Sequence, residues 1–362
     1  MPDWRSSMQR TYEYYMVDPG TWKDMKLISD VESSVINRDS EAETRGSANI
    51  DLAESLGECY IRIYMITIQN GIREKHPLGT FLLQTPSSNF NGKIRKVSVD
   101  AYTPLIELKE NPPPLGYSVL KGTNIMRTAY LVCRDHARAP VVETSSSDVL
   151  PYDFVANTND TWLSFGSDLV SNAKYDIDVD EMGQIIFPPK QDTASLQPVW
   201  TYDDGNSSIL YPELTMDHDL YGIPNAVEII YTNGFYDDET GETRYSLKIT
   251  NDDPNSQIST VSRGREILHR AVNPNIAGNN VIVTSRAVRN YAESLLRTLS
   301  SVEYTISYTH GYCPVRVGDC VRLNYEAAGL VNVKAKVISQ SIRCTPDCPV
   351  TEKAVFTTKL WG

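Results

Sequence analysis

From Cys59 to Ile68 the chain alternates so that Cys59, Ile61, Ile63 and Met65 share one face, the period-two signature of a strand. Similar runs recur on either side. Arg10 to Met16 is extended and rich in Tyr, and Ser34–Asn37 and Ala48–Leu52 flank a polar turn from Arg38 to Arg45. Gln69-Asn70-Gly71 predicts a turn back into a strand holding Phe81 and Leu83; Ser88 to Gly92 predicts the next turn, and Arg95 to Leu108 a further strand. Five or six strands at this spacing suit a small β-barrel. Late in the chain the pattern returns. Tyr304, Ile306 and Tyr308 alternate, Val321 to Tyr325 follows a Gly318-Asp319 turn, and Val331, Val333, Ala335 and Val337 alternate. A turn from Cys344 to Pro349 leads into a final strand through Phe356. Leu78-Gly79-Thr80-Phe81-Leu82-Leu83 and Val317-Gly318-Asp319-Cys320-Val321-Arg322-Leu323 read alike, each as a glycine turn launching an extended run, so a second barrel is expected.

Between these β-rich ends the period changes. Pro112-Pro113-Pro114 cannot sit in a helix interior or a central strand and marks a boundary. A helix is predicted from Asn124 to Ala137, with Ile125, Ala129, Val132 and Cys133 on one side. A second starts at Asp160 as N-cap and runs through Trp162, Phe165 and Leu169. Tyr175–Val179 and Gln184–Phe187 predict a hairpin about Glu181-Met182-Gly183, closed by Pro188-Pro189. Farther on, Val227, Ile229 and Tyr231 share a strand face, Asp237 to Glu242 reads as a hairpin tip, and 251–280 is polar and irregular. A third helix, Arg286 to Leu299, is capped by Thr284 or Ser285 and carries Val288, Ala292, Leu295 and Leu299. The fold class expected is α+β, mainly β: two small β-barrels with inserted α+β domains. The boundaries expected are 1–110 for the first barrel, 111–192 for an α+β domain, 193–234 with 303–362 for a split second barrel, and 235–302 for an insert with one helix.

At 362 residues the chain exceeds one ordinary core, so two to four domains are expected, and 41% hydrophobic content is ample to fold them. A net charge of −12 argues against tight nucleic-acid binding by phosphate neutralisation, while suiting a surface that nucleic acid must slide past. Tyrosine, 21 against 7 Phe, favours half-wet strands and interfaces. The N-terminal segment Met1-Pro2-Asp3-Trp4-Arg5 lacks a secretory pattern, and no apolar run is long enough to cross a bilayer. The expectation is a soluble chain made in a cytoplasm.

Candidate chemistry is sparse. Asp176, Asp178 and Asp180 begin like a calcium loop, but the sixth and twelfth positions hold Glu181 and Phe187 where that loop needs Gly and Glu, so a solvated strand face is the better reading. Cys313, Cys320, Cys344 and Cys348 place four of six cysteines in the last fifty residues. If the two hairpin ends meet, these thiols would suit zinc or an iron–sulfur cluster; disulfides and free packed thiols are the alternatives, and the spacing fits no standard zinc ribbon. Cys59 and Cys133 lie on apolar faces and read as core. His76, His136, His218, His269 and His310 are scattered, and Met216-Asp217-His218-Asp219 reads as a surface loop. No hydrolase, metalloprotease, P-loop or dinucleotide fingerprint occurs, so no enzyme and no cofactor is expected.

The order of segments resembles the tail hub, or baseplate hub, of tailed bacteriophages. The resemblance rests on Val31–Asp39, Ile61-Arg62-Ile63-Tyr64, Leu78–Leu83, Arg95–Tyr102, the helix from Asn124, Phe187-Pro188-Pro189, Ile223–Glu228 and Val315–Asp319, and spans nearly the whole chain. It implies two barrels of tail-tube type per subunit, so that a homotrimer presents six to a sixfold tube and a threefold platform to a spike. Its partners would be tail tube or distal tail ring proteins, a spike or tip protein and the tape measure protein. DNA would pass through the lumen without specific binding, in the tail of a virion assembled in a bacterial cytoplasm. The chain ends at Trp361-Gly362, so a lytic or receptor-binding extension is not expected. The competing readings are a tail-associated cell-wall-degrading enzyme and a carbohydrate-binding tail module.

Overall fold

The computed structural model describes residues 2–53, 56–90, 95–191, 193, 195–205, 208–274, 276 and 283–360. It divides into two compact units, 1–214 with 307–354 and 215–306 with 355–362. In the first, seven strands form the opening group: β1 (Gln9–Val17), β2 (Asp24–Ile28), β3 (Val31–Asp39), β4 (Gly46–Leu52), β5 (Tyr60–Gln69), β6 (Ile72–Phe90) and β7 (Arg95–Tyr102). They lie in the order β2-β1-β5-β6-β7-β4-β3, with antiparallel pairing throughout. The expected one-sided burial of β5 does not hold: Tyr60 to Thr67 is buried on both faces, Arg62 included, because the strand lies mid-sheet with structure on either side. Asn70 and Gly71 turn between β5 and β6 with φ of 51° and 77°, as the sequence predicts. The turn expected at Ser88 to Gly92 is absent as far as Phe90, which continues β6; residues 91–94 lie outside those described.

Gly79 launches no turn. It lies inside β6, where the register with β5 shifts between Ile63 and Tyr64, and an added Cβ would stand 2.4 Å from the Phe81 ring. Gly318, by contrast, has φ of 95° ahead of its strand. The two glycines therefore serve different purposes, close approach and reversal.

After β7 the chain enters a helical insert: α1 (Ile106–Glu110), β8 (Ser118–Val119), α2 (Ile125–His136), β9 (Phe154–Val155), α3 (Trp162–Ser171), β10 (Asp178–Val179) and β11 (Ile185–Ile186). The strand expected to run to Leu108 stops at Tyr102. Pro104 and Leu105 then open a helix whose Ile106 and Leu108 are buried. Asn124 caps α2 by accepting from Arg127 N. α3 is capped by Thr161 rather than Asp160, in a reciprocal box with Ser164; the Asp160 carboxylate instead accepts from Asn157 N. Leu105, Ala129, Cys133, Phe165, Leu169 and Ile185 are among the residues of one continuous core for this insert. The predicted hairpin forms, β10 against β11, with Gly183 at φ 77°.

The remaining strands of the chain are β12 (Trp200–Asp203), β13 (Leu210–His218), β14 (Ala226–Tyr236), β15 (Thr243–Thr250), β16 (Leu268–Val272), β17 (Ser301–Gly311), β18 (Cys320–Tyr325), β19 (Leu330–Arg343) and β20 (Pro349–Lys359). Late strands continue the early sheet, because β19 pairs antiparallel with β3 from Ser339↔Asp39 to Arg343↔Val35. The path runs on through β20, β17 and β13, while β18 pairs with β19 and, in parallel, with β12. The fold is thus mainly β with helical inserts, as expected. Its two strand groups share one sheet, and no closed barrel forms among the described residues.

In the second unit β14 pairs with β15 and β16, a sheet of its own packed on α5 (Ser285–Leu299), with α4 (Thr260–Arg263) between β15 and β16. Ala226–Thr232, expected with the late strands, belongs here instead, since Val227 and Ile229 bury against Val288, Ala292 and Leu296. The cap of α5 is Thr284; Leu296 is fully buried, whereas Leu295 and Leu299 are only partly so. The tract expected to be irregular contains α4 and β16; residues 275 and 277–280 lie outside those described, as do 361–362.

Candidate functional site

Strand alternation places Glu352 in β20 on the side of Val350 and Ala354, and His310 in β17 on the side of Ile306 and Tyr308, all of them buried. The two charged residues meet there. His310 Nε2 lies 3.1 Å from Glu352 Oε1, with both side chains wholly closed to solvent. Gln340 Nε2 donates to Oε1 at 2.6 Å, and Tyr308 and Tyr202 donate to Oε2 at 2.7 and 3.3 Å. Burial opposes the charge on His310, but its contacts with Cys313 and Glu352 outweigh that and raise its pKa to about 10. Burial likewise opposes the Glu352 carboxylate, yet the bonds from His310, Gln340 and Tyr308 hold its pKa below the usual value. The result is a buried, hydrogen-bonded ion pair.

Gln340 carries the network onward. Its Oε1 accepts from Arg38 Nη1 at 3.2 Å, and Arg38 Nη2 stands 3.4 Å from Glu181 Oε1 at the hairpin tip of the insert. Arg316, just ahead of β18, reaches the same Glu181 oxygen through Nε at 2.7 Å and donates through Nη2 to Val179 O at 3.1 Å. One carboxylate of the insert therefore joins an arginine of the early strands to an arginine of the late segment. The hairpin's backbone is gripped as well: Met182 O accepts from Arg62 Nη2 at 2.9 Å and Trp22 Nε1 at 2.7 Å, and Glu181 O from Thr80 Oγ1 at 3.2 Å. Arg62, itself buried, is further fixed by Thr80 and Asp24. Beside this joint lies a cleft of about 380 Å³ lined by residues that include Arg45, Asp178, Asp180, Val317, Asp319 and Lys336. Burial raises the pKa of Asp178, Asp180 and Asp319.

The residues singled out from sequence are mostly kept apart. Asp176 faces Arg45 and Lys190, Asp178 accepts from its neighbour Val179 N, and Asp180 accepts from Gln184 N, which are the uses of a strand and turn. Cys313 lies 3.2 Å from Tyr202 Oη, Cys320 faces Val321 O, and Cys344 and Cys348 flank a separate turn. The four-thiol cluster does not assemble: the six cysteines are free, and no three His, Cys, Asp or Glu side chains among the described residues come together as metal ligands. Cys133 is core, whereas Cys59 is half-buried. The sequence reading missed Glu352 and His310 as partners. Their period-two register with buried apolar neighbours was the available signal.

Cys313, His310 and Glu352 have the residue types of a nucleophile, base and orienter, with Cys313 Sγ 3.9 Å from His310 Nδ1. All three are closed to solvent, and the bonds of His310 and Gln340 to Glu352 tie β17, β19 and β20 together.

No protein-family model matches the sequence, and no curated protein does. Two strand groups joined edge to edge, with a helical insert held against both, form a β-rich fold that solved structures share. The tail protein from Neisseria meningitidis MC58 superposes with a TM-score of 0.60 at 11% identity, covering 98% of each chain. The 43 kDa tail protein of prophage MuSo2 from Shewanella oneidensis gives 0.59 at 12%, covering 96% of this chain and 98% of its own. A chain of the Francisella PdpA–VgrG complex gives 0.55 at 10%, with 96% of this chain matching 58% of that one. The likeness is one of fold.

Proposed function

We propose that this chain is a structural subunit of a phage tail, the baseplate or tail hub. Three copies would form a ring that adapts a sixfold tail tube to a threefold spike, with a lumen for the tape measure protein and then DNA. The observation that carries this reading is the pairing of two strand groups in one polypeptide through β3 and β19, in a fold that matches tail proteins over nearly their full length. Two such groups per chain would give a trimer six of them, which is how threefold and sixfold symmetries would be matched. The ring is built from open strand groups rather than closed barrels. Tail tube or distal ring proteins would lie above it and a spike or tip protein below, in the virion tail.

The net charge of −12 suits a channel wall to which DNA does not adhere. A lytic role draws no support from the sealed Cys313–His310–Glu352 group. Sedimentation of the purified protein, with particle imaging, tests the proposal. A trimer with a threefold ring is expected; a monomer that persists at high protein concentration overturns it.

A further inference from the structure

We propose that Cys344 and Cys348 form a reversible disulfide that staples the turn between β19 and β20 when the protein meets an oxidising pool of small-molecule disulfide. The pair occupies the two ends of a five-residue reversal. β19 ends at Arg343, β20 begins at Pro349, and the two strands are neighbours in the sheet. Thr345 N donates to Arg343 O at 2.9 Å and Cys348 N to Thr345 O at 2.8 Å, so the chain doubles back between the cysteines. Their outward backbone groups are committed elsewhere: Cys344 N donates to Ser34 O at 3.0 Å and Cys348 O accepts from Tyr312 N at 3.1 Å. The two residues therefore bracket the reversal, with the Cys344 thiol inside electrostatic reach of Cys348. A five-residue reversal of this kind brings its two ends near one another, and a disulfide bridges Cα atoms about 4.4–6.8 Å apart.

Their surroundings agree. Cys344 and Cys348 are both buried, and both thiols lie within electrostatic reach of the Tyr12 hydroxyl, which also donates to Thr345 O at 2.8 Å. The other cysteines have different neighbours. Cys313 is held by Tyr202 and His310, Cys320 faces Val321 O, Cys133 lies in the core of the insert, and Cys59 precedes β5.

With oxidised glutathione as the oxidant, one cysteine thiolate attacks a glutathione sulfur, breaking its S–S bond and forming a mixed disulfide while the first glutathione thiolate leaves. The second cysteine thiolate then attacks the protein-side sulfur and releases the second glutathione. The two cysteine protons end on the two glutathione thiols, the cysteines are oxidised and glutathione is reduced. Burial pushes the thiols up, Cys344 to about 12 and Cys348 to about 11, so the exchange is slow at neutral pH and quickens as pH rises.

The test treats the full chain with oxidised glutathione at about pH 9, where more thiolate is present, and blocks remaining thiols with iodoacetamide before tryptic digestion. Arg343 and Lys353 place both cysteines on one peptide, 344–353. The expected product is that peptide lighter by two hydrogens and free of alkylation, restored to two alkylated thiols by prior reduction. Cys344→Ser should instead leave Cys348 carrying glutathione or unmodified. The proposal fails if the wild-type peptide stays doubly alkylatable while half-buried Cys59 takes up glutathione, or if Cys348 is recovered joined to Cys313. Because the wild-type peptide is itself the readout, a variant that fails to fold does not blunt the test.

Discussion

Replacing Glu352 with alanine removes the acceptor on which His310, Gln340, Tyr308 and Tyr202 converge. Gln340 keeps Val315 O, and Tyr202 keeps His310 and Cys313, but the Tyr308 hydroxyl loses its recorded partner and His310 loses its counter-charge in a site closed to water. Breaking one side of a buried ion pair costs about 3–5 kcal/mol, a large share of the roughly 5–15 kcal/mol that holds a domain folded. Glu352→Gln retains an acceptor and should cost less, about 1–3 kcal/mol.

The pair also has a pH signature. His310 has a folded-state pKa raised from 6.5 to about 10, so its contribution is complete below 6.5 and is lost as pH climbs towards 10. Glu352 is lowered from 4.5, so its contribution is complete above 4.5 and is lost as pH falls through its folded-state value. Urea unfolding of wild type and variant, followed by tryptophan fluorescence across this range, measures both effects. The difference between them should be largest between 4.5 and 6.5 and shrink on the alkaline side. A gap below about 1 kcal/mol at its widest, or one that grows with pH, would refute the reasoning.

Glu181→Ala should loosen the joint between the insert and both strand groups, because Arg38 and Arg316 lose their shared oxygen. With the partners partly solvated the expected cost is about 1–2 kcal/mol, smaller in high salt, read from thermal unfolding at two ionic strengths. Gly183→Ala should be worse than its size suggests: φ is 77° and the new Cβ would stand 2.7 Å from Thr80 Cβ. A loss of about 1–3 kcal/mol in the same assay is expected, and a neutral result would mean the hairpin tip is not held against β6 as described.

Helices and local hairpins were legible because their signals are local. Asn124, Thr284 and the Ile125–Cys133 stripe each announce a helix within a few residues. Asp160 and Thr161 are equally good caps by residue type, and which of them caps α3 depends on which side chain reaches Ser164. The long-range pairings left no such mark. Nothing near Ile36 specifies Ile342 as its cross-strand partner, and Ala226–Thr232 alternates equally well for either sheet. The repeated glycines are deceptive for the same reason: Gly79 and Gly318 each follow an apolar residue and precede an extended run, but they differ in conformation, which the surrounding packing decides. Four cysteines close in sequence likewise said nothing of which sides of the sheet they would occupy. Glu352 and His310 were half legible, since strand period puts them inward and only the three-dimensional register makes them a pair.

The seam between β3 and β19 also sets a timetable for synthesis. Asn37 and Ser341, hydrogen-bonded neighbours there, are 304 residues apart along the chain. A ribosome adding about 5–20 residues per second therefore leaves the outer margin of β3 without its mate for roughly 15–60 s. Of the residues that later pair with β19, Val35 and Ile36 are apolar, while Asn37, Arg38 and Asp39 are polar or charged, and such residues discourage stray strands from annealing at that end. The polar end of β3 thus guards a nascent polypeptide while it waits for its own far end.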